Sequence, residues 1–344
     1  MQALWSDVYG DKFFYEEDSP PNERIQVGAI DYTNEATCPI WTDKFVSANY
    51  QLGYDNMQPV TGIYIPSHRP MAVYNPISDI PTNPIEIQEH YQQYQQFMIQ
   101  LFGGGQTKNP GAVQKRSLIS FAVFGEGNSS VPPNTEYLRV FQDFQKKLKI
   151  ILPKEIGFQR LEIRNGDVVL VTRSGDFSLD AMSGGVNAIF SIAWQISMFG
   201  VRQPKFTVVI DEPENHLHPA MQKSILPGLA RAYPETRFIV STHSPFIVTS
   251  FPEAAVYELA FNKRRKVVSQ RLSTADLSGT PNQVLRDVLG VDSNLPIWVE
   301  NQVQKVLAEA ADLPPEVKGR RIMDALADLH ITSAISEYRR PGGR

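Results

Sequence analysis

Apolar positions along this chain change period several times, and each change predicts an element. Over the first eighty residues they come in short alternating runs broken by prolines. "RIQVGAIDY" and "TGIYIPS" have the period-two character of strands. In "NPIEIQEHYQQYQQFMIQLF" (83–102) the spacing lengthens. Ile85, Ile87, Tyr91, Tyr94, Phe97 and Leu101 recur at roughly helical intervals. A glycine-rich break, "GGGQTKNPG", follows. "AVQKRSLISFAVFG" and "TEYLRVFQDFQKKLKIIL" (135–152) then predict two more helices, the second ending before Pro153. "GFQRLEIRNGDVVLVTRSG" predicts a hairpin, two alternating runs flanking the turn pair Asn165-Gly166.

After residue 178 the texture alternates between helix and buried strand. "GGVNAIFSIAWQISMF" and "PAMQKSILPGLARAY" read as helices, "KFTVVID" and "TRFIVSTHS" as strands apolar on both faces. Alternation of this kind predicts a largely parallel sheet covered by helices, an α/β architecture. "AVYELAF-NKRRK-VVSQRLS" predicts a second hairpin with a basic tip, and 281–338 reads as amphipathic helices broken at "DLPPEV". The expected division is 1–80 as a β lobe, 81–152 as a helical insertion, 153–275 as the α/β core and 276–344 as a helical C-terminal element.

Bulk properties narrow the picture only modestly. With 344 residues, 42% hydrophobic and 20% charged, the chain can bury a sizeable core. A net charge of -4 gives no global push toward nucleic acid or membrane. One cysteine, Cys38, excludes an internal disulfide framework and fits a reducing compartment. "AIFSIAWQISMFG" (188–200) falls short of a membrane span, and the N-terminus lacks the pattern of a signal peptide. The expected location is the cytoplasm, with no membrane partner.

Three stretches carry candidate chemistry. In "VVIDEPENHLHP" (208–219) a buried strand ends in Asp211-Glu212. Ligands of open α/β sheets bind at that carboxyl edge. There one acid can hold Mg²⁺ and the next can deprotonate an attacking water, although solvated acids or a helix cap would look the same. In "FIVSTHSPF" (238–246) the following strand runs into Thr242-His243-Ser244, so neighbouring parallel strands would bring His243 near Glu212. In "FSLDAMSGGVNAIF" (177–190) Ser183-Gly184-Gly185 opens a helix, whose free N–H groups suit an anion. A serine N-cap before two glycines is by itself common.

Together and in this order, the three resemble the carboxyl-terminal half of an ABC-type ATPase head, the P-loop NTPase-like fold of the SMC/Rec and overcoming-lysogenization-defect group. The likeness is nearest to ATPases of bacterial antiphage systems such as the Septu and retron-associated ones. "DAMSGG" is similar to the signature motif, "VVIDEPENHLHP" to Walker B plus D-loop and "STHSP" to the switch histidine. A weaker likeness reaches back to "YIPSHRP" (64–70). The resemblance implies ATP and Mg²⁺ as ligands, Asp211 on the metal, Glu212 as general base and His243 as γ-phosphate sensor. It also implies that Ser183, Gly184, Gly185 and Asn215 contact nucleotide. Glu214 to His218 would lie in a D-loop at the interface of a homodimer, and a separate effector, a nuclease for example, would be the regulated partner. For Arg69 a phosphate-facing role and a buried salt bridge both stay open.

One expected part is missing. No strand-G-x-x-x-x-G-K-S/T-helix occurs in the sequence. "FGGGQTKNPG" (102–111) has glycines and Lys108 but follows a helix, and "FGEGNSSVPP" (124–133) has no lysine. The expectation is a P-loop upstream of this chain. A P-loop on a separate polypeptide, or a non-hydrolysing scaffold subunit, are the alternatives. A Rec-type DNA-maintenance ATPase is a third reading, for which Lys263-Arg264-Arg265-Lys266 would touch phosphate backbone unless they are only a solvated hairpin tip. His216 and His218, two apart with no cysteine nearby, do not suggest zinc.

Overall fold

The computed structural model describes residues 24–43, 52–70, 74, 76–77, 86–102, 109–273, 277–290 and 295–328. Two compact units emerge: residues 1–242 with 259–270, and residues 243–258 with 271–344.

In the first unit, β1 (Arg24–Asp31), β2 (Thr37–Asp43) and β3 (Gly53–Tyr54) form an antiparallel meander. The central feature is a parallel sheet of β4 (Gly62–Ile65), β8 (Thr207–Asp211) and β9 (Arg237–Ser241), in that spatial order. Its register sets Ile65 beside Ile210, and Asp211 beside Ser241. Strand alternation puts Ile63, Ile65, Val208 and Ile210 on a buried face. On the opposite face Tyr64 is 57% and Ile239 51% exposed, so this parallel sheet is covered on one side. Gly62 makes the close β4–β8 approach possible: a Cβ there would sit 2.5 Å from the Thr207 carbonyl oxygen.

Helices fill the covered side. α1 (Ile87–Phe102), α2 (Pro110–Glu126) and α3 (Thr135–Ile151) pack in sequence, and α4 (Gly184–Gly200) lies against α1, α3 and β4. α4 is mostly apolar and buried nearly all round, with Ile189, Phe190, Ile192, Trp194 and Ile196 at 0% exposure and the polar Asn187, Ser191, Gln195 and Ser197 buried among them. Each such side chain stabilises by about 1.5–3 kcal/mol. The Trp194 indole still finds a partner, donating to Ser117 Oγ at 3.1 Å. α5 (Pro219–Ala232) packs on α3 and α4. Between these helices β5 (Phe158–Arg164), β6 (Asp167–Thr172) and β7 (Phe177–Ser178) make a small antiparallel sheet. The β5–β6 turn has positive φ at both Asn165 (52°) and Gly166 (76°), as a two-residue I′ turn requires.

The second unit holds the four-residue helix α6 (Pro245–Val248) and the helices α7 (Pro281–Asp287), α8 (Ile297–Glu309) and α9 (Pro315–Asp328). Val248, Val284 and Val288 form one small core, and Val303 and Leu326 centre another. β10 (Tyr257–Phe261) and β11 (Val267–Arg271) pair as the second hairpin, whose tip is grouped with the first unit. Asn262 organises that tip, its side-chain oxygen accepting from the N–H groups of Arg264 and Lys266. Among the described residues no helix is long and apolar enough to cross a membrane.

The expected face of α1 is buried at Ile87, Tyr91 and Tyr94 and half-buried at Phe97, while Ile85 lies outside the described residues. His90 and Met98 are buried as well, whereas Leu101 is 41% exposed. Met98 and His90 widen the same face, and Leu101 emerges because it lies in the last turn of the helix.

Candidate functional site

β8 brings the two acids to the carboxyl edge of the parallel sheet, where the chain leaves the strand in a strained turn. Glu212 adopts φ 45° and His216 φ 71°, left-handed values that cost a non-glycine residue roughly 1 kcal/mol or more each. The turn is held by its own hydrogen bonds. Glu212 N–H donates to the Ser241 carbonyl (2.9 Å), Asn215 N–H to the Glu212 carbonyl (3.1 Å) and Leu217 N–H to the Glu214 carbonyl (2.8 Å).

The side chains are arranged around that frame. Asp211 Oδ1 accepts from the Ser241 hydroxyl. Tyr64 also hydrogen-bonds the Asp211 carboxylate; partial desolvation first, then this carboxylate, hold its phenol above the ordinary range. Glu212 Oε2 accepts from Asn215 Nδ2 at 2.9 Å, and the same amide donates to the Ser67 carbonyl at 3.3 Å. Glu214 Oε1 accepts from Thr242 Oγ1 at 2.7 Å. His218 ends the turn as a helix cap, its Nδ1 accepting from Ala220 N–H at 3.3 Å, which assigns that ring its structural duty.

Arg69 lies beneath the turn, 6% exposed. Its Nη1 donates to the carbonyls of Pro66 (3.0 Å) and Asp211 (3.3 Å), and its Nη2 to those of Glu212 (3.1 Å) and Asn215 (3.4 Å). Burial pushes the guanidinium below its usual range, and the nearby Glu214, Asp211 and Glu212 carboxylates oppose that. The partners are backbone carbonyls, which neither of the two roles left open by the sequence anticipates.

The signature segment meets the turn within one chain. Ser183 caps α4, its exposed hydroxyl oxygen accepting from Val186 N–H at 3.5 Å. Gly184 is half-buried and Gly185 buried; a Cβ on Gly185 would come within 3.0 Å of the His216 carbonyl and 3.1 Å of Met221 Sδ. Asn187 Nδ2 donates to the Pro70 carbonyl at 3.1 Å, tying α4 to the arginine segment. From α2, Lys115 reaches Asp167 (2.8 Å) and Asp180 (2.7 Å), the latter three residues before Ser183. Burial alone would lower the Lys115 ammonium; its hydrogen bonds to the two aspartates outweigh that and raise it.

Sequence reasoning located the acids and the glycines but not their supports. The sequence singles out Arg69 without its carbonyl partners and assigns neither Ser241 nor Lys115 as a support; the three are spread over more than a hundred residues, and only the fold puts them together. For Lys115 a faint signal exists, a lysine set among the apolar positions of "AVQKRSLISFAVFG". His243 follows Thr242 directly, is exposed and begins the second unit.

Among the described residues no group of three or more acids, histidines or cysteines could cage a metal. A single carboxylate with a neighbouring hydroxyl still suits Mg²⁺, which keeps most of its waters and takes one or two carboxylates beside phosphate oxygens. Asp211 with Ser241 is such a donor set.

Known proteins resemble parts of this chain. The family described as "AAA domain, putative AbiEii toxin, Type IV TA system" matches residues 134–249, a span that includes Ser183 to Gly185, Asp211, Glu212 and His243. The Septu protein PtuA of Bacillus thuringiensis is 24% identical over 165 residues, covering 44% of this chain and 42% of that protein. The Retron Ec83 probable ATPase of Escherichia coli is 25% identical over 214 residues, 59% of this chain and 34% of its own length. The Retron Vc95 probable ATPase of Vibrio cholerae serotype O1 biovar El Tor is 46% identical over 144 residues, 39% and 28% respectively. The chain therefore spans less than half the length of these curated relatives. It is a relative of the Septu and retron ATPases, and its residues 134–249 match an AAA domain.

Proposed function

We propose that this chain is the hydrolytic part of an ATPase subunit that dimerises around nucleotide and controls a separate effector in antiphage defence. The observation that carries the reading is the acid pair. A carboxylate, Glu212, is aimed by Asn215 from a strained turn at the carboxyl edge of a parallel sheet, beside a second carboxylate suited to Mg²⁺.

In this reading Asp211 holds Mg²⁺, whose charge would offset that of the phosphates when bound. Glu212 orients a water in line with the γ-phosphate and takes its proton. Its fixed carboxylate means little reorganisation at the moment of reaction. His243, by its motif alone, reads the γ-phosphate. The exposed end of α4, with Ser183, Gly184 and Gly185, offers N–H groups to nucleotide held mainly by a partner subunit, and Asn215 sits at the same interface. The sequence has no lysine-bearing phosphate loop, so the grip on β- and γ-phosphate is assigned to polypeptide outside these residues.

The test is Glu212→Gln in the intact protein. Expected is a fall in kcat of about 10²–10⁴-fold with ATP still bound. Unchanged turnover would remove Glu212 from the chemistry, and absence of both binding and turnover in the wild type would favour a non-hydrolysing scaffold. DNA-stimulated turnover lost on replacing Lys263 to Lys266, all exposed on the hairpin tip, would favour the DNA-maintenance reading instead.

A further inference from the structure

The geometry points to Arg69 as the positioning residue of the acid turn: it clasps the carbonyls of Asp211, Glu212 and Asn215 and thereby holds the Glu212 carboxylate in place for water activation. The catalytic half of this statement rests on the reading of Glu212 given above; the structural half does not.

The clasp has three parts. First, the guanidinium is almost fully buried and spends four hydrogen bonds on backbone oxygens, three of them in the turn. A rigid fork with several donors suits converging carbonyls in a way that a lysine ammonium does not. Second, the turn it grips is strained at Glu212 and His216. Positive φ at such residues persists only where the surroundings over-determine it. Third, the grip reaches the carboxylate through one residue. Asn215, whose carbonyl Arg69 holds, directs its own amide to Glu212 Oε2 and to Ser67. Segment 66–70 and the turn are thus stitched twice, once by Arg69 and once by Asn215. Losing the first stitch frees the Asn215 backbone and with it the aim of the carboxylate.

The experiment compares Arg69→Met and Arg69→Lys with wild type in the intact protein, with two readouts. Amide exchange is followed at Asn215 and Leu217, whose N–H groups bond within the turn, with Val208 and Ile210 of β8 as internal reference. Arg69→Met is expected to speed exchange at the first pair by about 10-fold or more while the reference pair stays protected. In steady-state ATP turnover the same variant is expected to lose on the order of 10²-fold in kcat with KM little changed, as a misplaced catalytic group does. Arg69→Lys should fall between. In a Glu212→Gln background Arg69→Met should cost nothing further, because the group it positions is gone. Unchanged exchange in the turn would overturn the clasp whatever the kinetics. A kcat loss that adds fully to that of Glu212→Gln would overturn its link to the carboxylate. Loss of kcat in Arg69→Met with no effect of Glu212→Gln would instead sink the role of Glu212, and a loosened turn would still uphold the clasp.

Discussion

His90 is a titratable residue with nowhere to put a charge. It is fully buried on α1, neither ring nitrogen has a hydrogen-bond partner among the described residues, and its ring meets Phe121 edge-on at 5.3 Å. Burial first, and the Arg116 cation second, push it down to about 4 from 6.5. The unfolded chain therefore binds a proton between those two values that the folded chain refuses. Stability is full above pH 6.5, falls as pH drops toward 4 and levels off below. The expected loss is on the order of 3 kcal/mol. Denaturant titrations at pH 7 and pH 4 should show this slope, and His90→Leu should flatten it relative to wild type; an unaltered slope would mean the ring is reached by solvent. Arg69 belongs to this scale as well. The sequence flags Arg69 within "YIPSHRP" but not its partners, because carbonyl acceptors leave no compositional trace. The Asp211-Glu212 pair was legible, since two acids closing an apolar run are unusual in themselves.

At the scale of elements, the parallel strands and the helices around them could be read from period alone, because burial imposes period. What period does not convey is how much of a helix is covered. On α1, His90, Phe97 and Leu101 project to nearly the same side, yet His90 is buried, Phe97 half-buried and Leu101 exposed in the last turn, because only part of the helix length is covered by α2 and α4. Nor does period convey how closely two strands approach. Gly62 is the sharpest case: any side chain there runs into the Thr207 carbonyl at 2.5 Å. Gly62→Val is expected to destabilise by about 1–3 kcal/mol through overpacking. Its effect should extend to turnover, since β4 leads directly into the segment that carries Arg69. Urea midpoints and kcat measured together check this; a stability loss with undiminished kcat per folded molecule would show that segment 66–70 tolerates a shifted strand.

For the whole molecule, the proposed dimer makes a prediction that no monomeric arrangement shares. If the signature end of one subunit completes the site of the other, Ser183→Arg and Glu212→Gln damage complementary halves. Each homodimer should then be inactive. Mixed after denaturation and refolding, or co-expressed, they form heterodimers with one intact site, and turnover should recover to about a quarter of wild type from random pairing of symmetric subunits. No recovery would place both motifs in one self-contained site. Assembly of this sort was readable only through the order of the motifs.

Within one chain, the start of α4 packs so closely on the turn that a Cβ on Gly185 would stand only 3.0 Å from the His216 carbonyl, so a shift of one presses on the other. In the proposed cycle, a turn that shifts with the state of its phosphate would press on α4, and α4, packed against α1 and α3, would pass the displacement to them. Chemistry at the sheet edge would then be broadcast to the helical layer, far from any nucleotide, and the deuterium uptake of α1 across the turnover cycle is where that signal should be heard.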